Sequence, residues 1–218
     1  SAFVTGVQTC ALPIWGAVSG EGNLISGNSI GIRMEINAPY NVVRGNFIGT
    51  DVTGTSDLGN GWGMHILSGY NTIGGPSAGM RNIISGGASG IVIDGFAAVG
   101  NTVKGNFIGT DVSGTADLGN WEHGIFLKFD LVGGVPSINT IGGATAAERN
   151  IISANGRGIY IWGGNQNWVF GNYIGTDVTG LVDLGNQLAG IGILGGNYNT
   201  IGGTPQRENV IAFNSVQI

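Results

Sequence analysis

Aliphatic and variable positions alternate in runs of four or five residues along most of the chain, and Gly and Asn separate the runs. A period of two predicts β-strands, each too short to fold alone. Gly and Asn tolerate the sharp, positive-φ bends needed to join them. Three series set the spacing. Asn41, Asn71, Asn101, Asn139, Asn167 and Asn199 each precede Val or Ile by two residues. So do Asn23, Asn46, Asn82, Asn106, Asn150, Asn172 and Asn209. Gly31-Ile32, Gly63-Met64, Gly90-Ile91, Gly124-Ile125, Gly158-Ile159 and Gly190-Ile191 each begin a short alternating run. Three short strands per turn predict a triangular prism. Stacked turns put like residues about 4.8 Å apart, so the asparagines are expected to hydrogen-bond along buried ladders rather than to hold a ligand.

A longer period overlies the short one. IGTDVTGTSDLGN (48–60) returns as IGTDVSGTADLGN (108–120) and IGTDVTGLVDLGN (174–186), and NTIGG recurs at 71–75, 139–143 and 199–203. Across residues 20–218 this pattern resembles the repeats of secreted bacterial surface and carbohydrate-associated proteins. That resemblance implies an all-β, right-handed parallel β-helix of about six to seven turns and a secreted or cell-surface setting. Relatives of that kind cleave polysaccharides, bind them or act as spacers.

Composition supports the fold class and narrows the partners. The 44 glycines among 218 residues are about three times the roughly 7% of an ordinary chain, which disfavours a helical or α/β protein. Charged residues are 10% and apolar residues 42%, so the chain is not of the disordered type. Gly does not fall every third residue and no apolar run reaches 18 residues, excluding collagen and a membrane helix. With eight Lys and Arg and a net charge of −5, neither nucleic acid nor a membrane surface is an expected partner.

Residues 15–218 read as one domain. Val4 to Ile14, VTGVQTCALPI, resembles a translated sequencing adapter, so residues 1–14 are taken as a scar on a metagenomic sequence, and the single cysteine, Cys10, goes with them. No signal peptide is recognisable in this fragment. The repeats run to Ile218 without a polar cap, and the domain is expected to be a monomeric module of a longer chain.

Candidate chemistry lies where the repeat varies. With Ile32, Ile91, Ile125, Ile159 and Ile191 inward, alternation turns outward the pairs Arg33/Glu35, His65/Leu67, Val92/Asp94, Phe126/Lys128, Tyr160/Trp162 and Gly192/Leu194. Aromatic rings beside charged groups suit sugars, whose CH faces stack on rings while their hydroxyls take polar partners. Phe126, Tyr160, Trp162 and Trp121, with Lys128, Asp94 and Glu35, are therefore expected to bind a plant or microbial cell-wall polysaccharide without cleaving it. Trp62 and Trp121 follow LGN turns and could extend the platform, Trp168 and Phe170 begin the next strand of the Tyr160 turn, and Phe47, Ile83, Phe107, Ile151 and Tyr173 are expected beneath the DVTG hairpins.

The alternatives are a passive stalk and a hydrolase or lyase. The segment 121–138 is about eight residues longer than its counterparts and holds Glu122, His123, Lys128 and Asp130, with Asp94 one turn away. A carboxylate with a histidine could serve as acid and base, or Lys128 as the base of a uronide elimination. No cofactor is expected. Asp51, Asp111 and Asp177 supply oxygens for a calcium reading, but Asp before x-Thr/Ser-Gly is equally a turn former, and two histidines with no native cysteine cannot assemble a transition-metal site.

Overall fold

The computed structural model describes residues 22–129, 134–203 and 207–215; residues 1–14 and Asp130 lie outside them. The first turn is β1 (Leu24–Ile25), β2 (Asn28–Met34) and β3 (Val42–Val43); the second is β4 (Phe47–Ile48), β5 (Asn60–Ile66) and β6 (Thr72–Gly74). The third is β7 (Ile83–Ile84), β8 (Ser89–Asp94) and β9 (Thr102–Lys104); the fourth is β10 (Phe107–Ile108), β11 (His123–Lys128) and β12 (Thr140–Gly142). The fifth is β13 (Ile151–Ile152), β14 (Arg157–Trp162) and β15 (Trp168–Phe170); the sixth is β16 (Tyr173–Ile174), β17 (Ile191–Leu194) and β18 (Thr200–Ile201), and β19 (Val210–Ile211) opens a seventh.

Every third strand pairs in parallel, giving a first sheet of seven strands from β1 to β19 and second and third sheets of six strands each. This is a right-handed parallel β-helix. Its core is a stack of aliphatic columns. Ile48, Ile84 and Ile108 come from the first sheet, Ile91, Ile125 and Ile159 from the second, and Val43, Ile73 and Val103 from the third, all buried. Successive turns supply the same side chain at the same place, so no strand needs to be long.

Asparagine ladders line all three corners. In the ladder before the first sheet, the Asn106 N–H and Nδ2 donate to Asn150 Oδ1 at 3.0 and 3.1 Å. Nδ2 of Asn150 donates in turn to Asn172 Oδ1 at 2.9 Å. The ladder before the third sheet repeats this from Asn41 to Asn199. A further ladder precedes the second sheet, through Asn28, Asn60, Asn120, Asn155, Asn186 and Asn214, with Gly87 at the rung between Asn60 and Asn120. Sequence spacing missed it because Asn60, Asn120 and Asn155 have no aliphatic residue two positions on, and Gly87 interrupts the series.

The DVTG segments are hairpins that fold back over the first sheet. Thr50, Thr110 and Thr176 bridge Asp57, Asp117 and Asp183 in antiparallel fashion. Neighbouring hairpins join through Val112 N–H to Gly54 O and Val178 N–H to Gly114 O, each 2.9 Å. Ile83, Phe107 and Ile151 form a second apolar layer beneath them, with Phe47 and Tyr173 packed against it, as expected.

The residues just before the second-corner rungs Asn28, Asn60, Gly87 and Asn120 are glycines with positive φ, Gly27, Gly59, Gly86 and Gly119, but Ala154, before Asn155, holds that place at φ 61°. Relieving its Cβ strain should raise stability by about 0.5–1 kcal/mol in Ala154→Gly, read as a melting point about 2 °C higher. A fall would show that the methyl packs more than it strains.

Candidate functional site

The outer face of the second sheet gathers most of the candidate residues, and it is wider than alternation predicts. A Cβ at Gly31 would lie 2.6 Å from the next turn's Gly63 carbonyl and 3.3 Å from the core side chain Ile25, so this glycine also faces inward. The chain is thereby locally out of alternation, and the residue before each such glycine joins the outer face. Trp62 packs edge-on against His65 at 4.8 Å, and His123 stacks on Phe126 at 4.4 Å, each pair three residues apart. The face therefore carries three columns rather than two, adding Trp62, Ser89, His123 and Arg157.

Aromatic rings cluster across the fourth and fifth turns. Besides stacking on Phe126, His123 lies 5.5 Å from Tyr160 at 14°. Phe126 is 5.6 Å from Tyr160 and 6.4 Å from Trp162, the latter pair inclined by 6°. Phe129 meets Trp162 edge-on at 5.0 Å, and the Arg157 guanidinium lies 5.1 Å from the Tyr160 ring centre. Phe126 and Tyr160 are half-buried, and Trp162 is 38% exposed. Trp121, at the entrance to β11, is 69% exposed and makes no ring contact among the described residues. Trp168 stands apart, on the outer face of the third sheet between Thr140 and Thr200.

A polar chain runs beside the rings toward the first turn. Lys128 Nζ donates to Asp94 Oδ2 at 3.1 Å, and His65 Nε2 meets the same oxygen at 3.1 Å. Arg33 Nη1 lies 3.4 Å from His65 Nδ1, while its Nε bonds the exposed Glu35 at 2.7 Å. Because a carboxylate only accepts and a guanidinium only donates, these partners select the neutral His65 tautomer protonated on Nε2. Burial alone would raise the Asp94 carboxyl, but the hydrogen bonds from His65 and Lys128, with the Lys128 charge, bring it below the usual range. Asp94 is 7% exposed, and its Oδ1 is buried with no partner.

Glu122 and His123 belong to a different cluster. Ser89 Oγ lies 3.3 Å from both Glu122 Oε2 and His123 Nδ1. His123 and Lys128 are five residues apart on one strand, about 16 Å at the usual rise, so the four residues weighed for acid–base chemistry fall into two groups rather than one converging site. Burial, with the Arg157 charge adding to it, pulls the His123 pKa down from 6.5 to about 4. The ring is neutral at pH 7 and behaves as an aromatic member of the stack.

A pH dependence follows, since a base whose folded pKa is depressed stabilises the fold fully only above its unfolded value. Stability from His123 should be complete above about pH 6.5 and lost as pH falls toward 4, amounting to about 3 kcal/mol at most. Denaturant unfolding at pH 7 and pH 4.5 should show a smaller acid loss in His123→Asn than in the parent chain, and equal losses would contradict the assignment.

The aspartates of the calcium reading are engaged by their own hairpins. Asp51 Oδ1 accepts the N–H groups of Thr55 and Ser56 at 2.9 and 3.1 Å, and Asp51 Oδ2 accepts the Thr53 hydroxyl at 2.7 Å. Asp111 and Asp177 repeat the arrangement. Among the described residues no group of three His, Cys, Asp or Glu side chains is placed to hold a metal, and no helix is long and apolar enough to cross a membrane. Comparison with protein-family models, curated proteins and solved structures finds no match.

Proposed function

We propose that the protein is a polysaccharide-binding module of a secreted or cell-surface protein, related to the β-helix repeat proteins its motifs resemble, and that it holds its ligand on the outer face of the second sheet without cleaving it. The observation that carries this reading is the ring array of Phe126, Tyr160 and Trp162, extended by His123 and adjoining the Lys128–Asp94 pair. Ring faces give apolar contact to the CH faces of pyranoses, and the neighbouring ions give hydrogen bonds to hydroxyls. Sheet strands hold these groups more rigidly than a loop would, which lowers the ordering cost of binding. The division of Glu122/His123 from Asp94/Lys128 favours binding over acid–base catalysis.

Affinity electrophoresis through xylan, β-glucan, pectin, mannan and alginate tests this, with reducing-end and unsaturated-product assays on the same mixtures. Retardation by at least one polysaccharide without product is expected. The double variant Tyr160→Ala/Trp162→Ala should weaken retention by a neutral polysaccharide roughly 30-fold or more, as loss of a central aromatic anchor does, while its melting temperature stays within about 5 °C. Product formation, or retention unchanged in the variant, would overturn the assignment.

A further inference from the structure

Cations are segregated in this molecule. Of its eight Lys and Arg residues, Arg33, Lys128 and Arg157 lie on the second sheet's outer face, and the other five lie where the chain passes from the third sheet to the first. Those five are Arg44, Arg81, Lys104, Arg149 and Arg207, one in each of turns one to four and one in turn six. Only Glu148 and Glu208 accompany them, so the edge carries +3 on a chain of net charge −5. The three hairpins, at the next corner, hold six aspartates and no Lys or Arg.

The column is continuous along the axis because each side chain reaches toward a neighbouring turn. Arg44 Nε donates to Gly74 O at 3.2 Å, Lys104 Nζ meets Glu148 Oε1 at 2.8 Å, and Arg149 Nε donates to Gly171 O at 3.4 Å. The fifth turn has Phe170 in place of a cation, and the Arg207 guanidinium lies 4.8 Å from that ring's centre. Arg81 and Arg149 stack on Phe107 and Tyr173 at 3.9 and 3.8 Å. Stacking occupies the flat face of a guanidinium and leaves its in-plane N–H fork for a carboxylate. Arg81 makes no side-chain hydrogen bond among the described residues, and its Nε is buried without a partner.

We propose that this edge is a second binding site, for an acidic polysaccharide laid along the solenoid axis. A polyuronate carries one carboxylate per sugar ring, a repeat comparable to the turn spacing of about 4.8 Å. At that spacing cations on consecutive turns, as from turn one to turn four, fall within the Debye length of about 8 Å at physiological salt and act on the chain together. Single-stranded nucleic acid fits less well, because it needs open rings for base stacking, and Phe107 and Tyr173 are already covered by guanidinium groups. The site does not depend on the aromatic face.

The test is gel retardation by polygalacturonate, by a neutral glucan and by oligo-dT, near 50 mM and at about 0.5 M salt. Polygalacturonate should retard the protein at low salt only. Arg44→Gln/Lys104→Gln/Arg207→Gln should weaken that retention about tenfold or more, and Arg44→Gln/Arg207→Gln, at two surface positions, serves if the triple variant folds poorly. Trp162→Ala should leave polygalacturonate retention intact. No retention, equal retention in the edge variant, loss in Trp162→Ala instead, or equally strong oligo-dT binding would each overturn the proposal. Loss of neutral-polysaccharide binding in Trp162→Ala alone bears on the aromatic face and not on this edge.

Discussion

Asn150→Ala is expected to lower stability by about 4 kcal/mol or more. The side chain is fully buried and makes four hydrogen bonds: two accepted from Asn106, one donated to Val103 O and one to Asn172 Oδ1. Alanine removes all four and leaves the Asn106 N–H without its acceptor, and each buried polar group so orphaned costs about 1–3 kcal/mol. Asn150→Asp is a sharper version. It keeps the shape and the acceptor for Asn106, but a carboxylate cannot donate to Val103 O or Asn172 Oδ1, and a buried charge adds its desolvation. At Asn209, in the last described turn and only partly buried, alanine should cost about 1–2 kcal/mol. Chemical denaturation with amide exchange at β10 and β13 reads the difference, since a solenoid opens turn by turn. Equal small losses at both positions would mean that the ladder is incidental to stability.

Gly109→Ala should be comparably damaging for a different reason. Gly109 has φ +91°, and a Cβ there would lie 2.0 Å from the Ser153 carbonyl of the next turn. No rotamer escapes a backbone clash, so the turns must part, at a cost above about 3 kcal/mol. Gly27 is the internal comparison, with φ +75° and nothing within 4 Å of its Cβ. Alanine at Gly27 meets only the left-handed backbone strain of about 1 kcal/mol. If the two variants melt alike, close stacking of turns is not what demands glycine at Gly109.

What was legible in the sequence was whatever repeats at a fixed offset from the core. The aliphatic columns and two asparagine ladders recur beside the same Val or Ile on each turn, which is why three short strands per stacked turn follow from spacing, and the motif resemblance added the parallel β-helix of six to seven turns. The third ladder and the column of Trp62, Ser89, His123 and Arg157 were hidden by the same device. Glycines such as Gly31 and Gly124 break alternation by one residue, so simple parity turns the residue before each of them inward and misses this column. His123 was legible as a candidate base but not as a neutral ring, because burial and Arg157 come from packing. The cationic edge was hidden because its members shift against the motif, with Arg44 following Val43 and Arg81 preceding Asn82.

Trp162 and Trp168 offer the most direct test of where a polysaccharide is held. Both are 38% exposed, but one lies on the second sheet's outer face and the other on the third's. Their indole N–H resonances should be followed in a two-dimensional NMR titration with oligosaccharides cut from a neutral polysaccharide that retards the protein. A saturable shift of the Trp162 indole with Trp168 unmoved is the predicted result. Movement of Trp168 alone, or of neither, would contradict the placement of the binding face.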